Sequence, residues 1–74
     1  MLNELELISH DPDIMSGAPV FAGTRVLVQT LIDYLEAGQA LHEFLDDFPT
    51  VSREQAVGVL EQAKEALLAR ARPA

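Results

Sequence analysis

Residues able to do chemistry are few in this chain, and their spacing excludes most reactions. His10 and His42 are the only histidines, and there is no cysteine. No His-Glu-x-x-His pair occurs, and neither histidine sits four residues from another nitrogen ligand, so a zinc site has no ligand set. His42-Glu43 and Asp46-Asp47 fall on one short helical stretch, but adjacent helical positions point in different directions. No acidic cluster has the spacing of a calcium loop. These carboxylates read as a solvated acidic face. With few hydroxyls and no nucleophile elbow or phosphate loop, we expect no catalytic residue, no bound metal, no cofactor and no enzymatic activity.

What remains are residues suited to binding. Arg25 is the one cation among the first 52 residues, set against Glu4, Glu6, Asp11, Asp13, Asp33, Glu36, Glu43, Asp46 and Asp47. It either contacts a partner's carboxylate or phosphate, or acts as an internal clasp to Asp11, Asp13 or Asp33. The planar guanidinium suits the clasp, and the absence of a second nearby cation favours it. Thr50, Ser52, Arg53 and Gln55 form a polar turn whose side chains could reach phosphates or base edges; capping and solvation account for the same residues. Arg70 and Arg72, near the C-terminus, either complement a helix dipole or reach into an acidic metal site on a partner.

The elements that must position these groups can be read in chain order. Leu5, Leu7 and Ser9 alternate with Glu6 and Ile8, a weak signal for a strand of about five residues. His10-Asp11-Pro12-Asp13 is a turn by composition. Ile14 and Met15 could begin a second strand before Gly17 and Pro19 interrupt it, and Val20-Phe21-Ala22 is a short extended piece. Gly17 and Gly23 can bend where other residues would be strained, while Pro19 confines its strand to an edge. The result is a small β arm, marginal alone and steadier when paired with another chain.

From Val28 the period becomes helical. Val28, Leu31, Ile32 and Leu35 form one stripe, with Gln29, Asp33 and Glu36 opposite, and Gly38 ends the helix. A shorter helix carries Leu41, Phe44, Leu45 and Phe48 and stops at Pro49. Ser52-Arg53-Glu54-Gln55 matches a capping box opening a third helix. Its inner stripe is Ala56, Val59, Leu60, Ala63 and Leu67, with Glu61, Lys64 and Glu65 outside. Three helices with short links fit a helix-turn-helix, and equally any small three-helix bundle.

The bulk numbers set limits. Seventy-four residues, 49% of them hydrophobic, make one small domain near the lower limit for a stable monomer, so self-association or a partner is expected. No apolar run approaches membrane-spanning length, and a cytoplasmic location follows by default. The net charge of −7 opposes autonomous nucleic-acid binding and suits a protein that neutralises a basic partner.

Gly17-x-Pro19-Val20-x-x-Gly23-Thr24-Arg25-Val26-x-Val28, then Glu36-Ala37-Gly38, Phe48-Pro49 and Ser52-Arg53-Glu54-Gln55, resembles the domain of unknown function 433 family over nearly the whole chain. The resemblance implies a helix-turn-helix bundle behind a short β arm that pairs between two chains. It gives Gly17, Pro19, Gly23, Thr24 and Arg25 an architectural role. It also implies an antitoxin similar to VapB-type proteins, which holds a PIN-like ribonuclease inactive and binds its own promoter. Given the net charge of −7, the toxin would supply the positive charge that DNA binding by the complex needs.

The resulting expectation is a mainly α chain: a β arm or hairpin over 1–26, a three-helix helix-turn-helix bundle over 27–70 and a tail over 71–74. It would act as a homodimer paired through the arm and as an antitoxin. A helix-turn-helix transcription regulator without a toxin and a protein–protein adaptor are the alternatives. Salt-sensitive DNA binding by the free protein marks the regulator.

Overall fold

The computed structural model describes residues 7–10, 12–13 and 15–71. It is mainly helical, with a two-stranded antiparallel hairpin in front of three helices. Strand β1 (Ile8–His10) pairs with β2 (Pro19–Phe21) in the register Ile8 with Phe21, Ser9 with Val20 and His10 with Pro19. The helices are α1 (Val28–Glu36), α2 (Leu41–Asp47) and α3 (Arg53–Ala71).

The arm differs from the sequence reading in three ways. Its first strand starts at Ile8; residues 5 and 6 lie outside the described residues, and Leu7 is fully buried in the core. Met15 does not begin a strand. Met15–Gly17 is a 3-10 turn with Ser16 at φ 58° and Gly17 at φ 85°, while Ile14 lies outside the described residues. Two successive left-handed residues cannot continue an extended chain. The second strand begins at Pro19, one residue earlier than Val20.

The arm is also no appendage. Leu7 and Phe21 belong to the same buried cluster as Leu31, Phe44, Val51, Ala56 and Val59. The hairpin therefore pairs within its own chain and closes over its own helices. All four aromatic residues meet there. Phe44 lies with ring centroids 5.9 Å from Phe21, 5.4 Å from Tyr34 and 5.1 Å from Phe48, and the Tyr34–Phe48 separation is 5.8 Å. Such tilted and edge-to-face contacts add to the burial of apolar area.

The helix ends follow the local chemistry of the sequence. At the end of α1, the Gly38 N–H donates to Leu35 O and the Gln39 N–H to Tyr34 O, with Gly38 at φ 86°. This is the paired bonding of a Schellman motif, which glycine adopts without a Cβ penalty. Helix α2 opens with the Ala40 N–H donating to the Glu43 carboxylate at 2.9 Å. It closes at Phe48, whose φ of −126° and ψ of 72° leave the helical region ahead of Pro49. The Tyr34 hydroxyl donates to Asp47 Oδ2 at 2.7 Å and ties α1 to the end of α2. That hydrogen bond, with smaller contributions from desolvation and the Asp47 charge, raises the Tyr34 pKa above its ordinary value.

Helix α3 departs from its expected stripe halfway along. Ala56 and Val59 are buried and Leu60 is half-buried, but every residue from Glu61 to Ala71 is exposed, Ala63 and Leu67 included. At about 1.5 Å per residue, 19 residues span about 28 Å, which is longer than two short helices and a hairpin can cover. No helix among the described residues is long and apolar enough to cross a membrane.

Candidate partner-binding surfaces

The glycine-proline-threonine stretch folds into a tight, self-bonded corner. Phe21 to Thr24 make a turn closed by the Thr24 N–H donating to Phe21 O at 3.0 Å, with Gly23 at φ 77° in the third position. That position in a type II turn requires a positive φ, hence glycine. The Thr24 hydroxyl donates to Phe21 O at 2.8 Å and accepts the Val26 N–H at 3.0 Å. The Phe21 N–H reaches back to Val26 O, and Val20 bridges to Leu27. The corner thus turns the end of β2 directly into α1. Gly17 takes its positive φ just before Pro19, and its carbonyl lies 3.1 Å from Nδ1 of His10 on the paired strand.

Within this corner Thr24 carries the hydrogen bonds and pins the turn through its hydroxyl. Arg25 is exposed, and no ion pair joins it to Asp33 among the described residues. Of the other two carboxylates of the expected clasp, Asp13 is engaged and Asp11 lies outside the described residues. Thr24→Val, which keeps the shape and deletes the hydroxyl, is expected to cost about 1–3 kcal/mol because the Val26 N–H loses its acceptor. Thr24→Ser should retain most of the stability, whereas Arg25→Ala should stay within about 0.5 kcal/mol. Urea midpoints of the three variants check this ordering.

Thr50, Ser52, Arg53 and Gln55 surround the start of α3. Ser52 and Gln55 form a complete capping box: the Gln55 N–H donates to Ser52 Oγ at 3.0 Å and the Ser52 N–H to Gln55 Oε1 at 3.1 Å. The other end of the same amide is engaged too, with Gln55 Nε2 donating to Ala22 O at 2.9 Å across 33 residues. Gln55 therefore caps α3 and fastens it to the turn after β2. Thr50 and Arg53 are exposed and stand free to meet a partner. The sequence showed the cap, but not the bond to Ala22, because a partner 33 residues away leaves no local pattern.

The acidic residues of the first two helices, Asp33 and Glu36 on α1 and Glu43, Asp46 and Asp47 on α2, are all exposed, as is His42. Among the described residues, no group of three or more His, Asp or Glu side chains is placed to hold a metal ion. Arg70 is exposed near the end of α3, and Arg72 lies outside the described residues. Two further residues escaped the sequence reading: Val51, buried in the turn between α2 and α3, and Gly58, against which Leu7 packs.

Residues 8–63 match the family model described as protein of unknown function (DUF433). The chain is also similar to an uncharacterized protein, y4eO, of Sinorhizobium fredii (strain NBRC 101917 / NGR234). The two are 34% identical over 50 residues, which is 68% of this chain and 23% of that protein. The matched stretch is thus under a quarter of the relative's length. No solved structure matches the chain. The family match ends at residue 63, just past the point where α3 leaves the core.

Proposed function

The chain belongs to the DUF433 family, and on that footing we propose that it is a cytoplasmic antitoxin-type binding protein that holds a PIN-like ribonuclease inactive. The observation that carries this reading is that every carboxylate of α1 and α2, Asp33, Glu36, Glu43, Asp46 and Asp47, is exposed, with no lysine or arginine on either helix. A one-signed field of this kind steers a basic partner into place and raises the association rate, more so at low salt. Arg70 and Arg72 extend the contact from the far end of the chain toward carboxylates of the ribonuclease.

The test is co-expression with a PIN-like ribonuclease encoded beside this chain in its host. The expected result is a stoichiometric complex, loss of ribonuclease activity, and association that slows as salt rises. Full ribonuclease activity in excess of this chain overturns the reading. A second reading, promoter binding, draws on Thr50 and Arg53, exposed at the start of α3 behind the α2–α3 turn. With the acidic α2 beside them, the free protein is expected to give no electrophoretic shift, and the ribonuclease complex to give one.

A further inference from the structure

We draw no further inference here: the strongest candidate, the apolar patch of Leu67 and Leu68 on the exposed end of α3, carries nothing because nothing in the structure shows what covers it.

Discussion

Phe44→Ala is expected to lower the melting temperature by roughly 12–40 °C and, at the upper end, to leave the chain largely unfolded at room temperature. Phe44 is fully buried. It touches Phe21 from the hairpin, Tyr34 from α1 and Phe48 at the end of its own helix. Removing such a ring costs about 3–5 kcal/mol, transfer and cavity together. A domain of this size is stable by about 4–11 kcal/mol, and each kcal/mol shifts the midpoint by about 4–8 °C. Leu68→Ala, on the exposed end of α3, serves as the control and should move stability by no more than about 0.5 kcal/mol. Thermal melts followed by circular dichroism compare the two. A fall of less than about 5 °C for Phe44→Ala would show that the hairpin and the helices do not share this ring as their common support.

The same ring marks where the sequence was legible and where it was not. The three helices could be read because their signals are local. Apolar residues recur at helical spacing, Gly38 follows the last turn of α1, Pro49 follows α2, and Ser52 and Gln55 sit three residues apart. Each of these acts through neighbours within one helical turn. The arm was harder, since strand bounds depend on what pairs across the sheet. Ser9 is a strand residue because Val20 lies opposite it. Met15 is not, because Ser16 and Gly17 both turn left-handed.

Charge is legible only in part, because a count of residues carries no distances: Arg25 is set among acids in the sequence, and in space it is exposed with no ion pair to Asp33 among the described residues. The α3 stripe shows the converse. Ala63 and Leu67 continue a helical apolar pattern that periodicity reports correctly, but periodicity cannot say whether the stripe meets the chain's own core or something outside it. Here the core ends at Leu60. The candidate surfaces follow from that boundary. Ser52 and Gln55 at the start of α3 are drawn into capping and into the bond to Ala22, while Thr50, Arg53, the acidic residues of α1 and α2 and the overhanging end of α3 stay exposed.

Gly58 supplies the sharpest test of long-range packing. A glycine five residues into a helix lowers helical stability by about 0.8–1.0 kcal/mol relative to alanine, and on local grounds Gly58→Ala should stabilise the chain. The structure argues the opposite sign. A Cβ at this position would lie 2.7 Å from Cδ2 and 3.2 Å from Cδ1 of Leu7, and Leu7 is fully buried, so its methyl groups would have to shift within the core. Overpacking of this kind costs about 1–3 kcal/mol, so Gly58→Ala is expected to be neutral to destabilising by about 2 kcal/mol. The two contributions separate in a double-mutant cycle. Leu7→Val removes the reach of the very atoms that crowd the site, at a cost of about 1 kcal/mol. In that background Gly58→Ala should regain the propensity term and stabilise by up to about 1 kcal/mol. The coupling read from urea midpoints is then about 1–3 kcal/mol. If Gly58→Ala instead stabilises equally in both backgrounds, Leu7 does not require the glycine. If the coupling appears, a residue that looks like a flaw in α3 is the seat on which the start of the hairpin is held against the helix, 51 positions further along the chain.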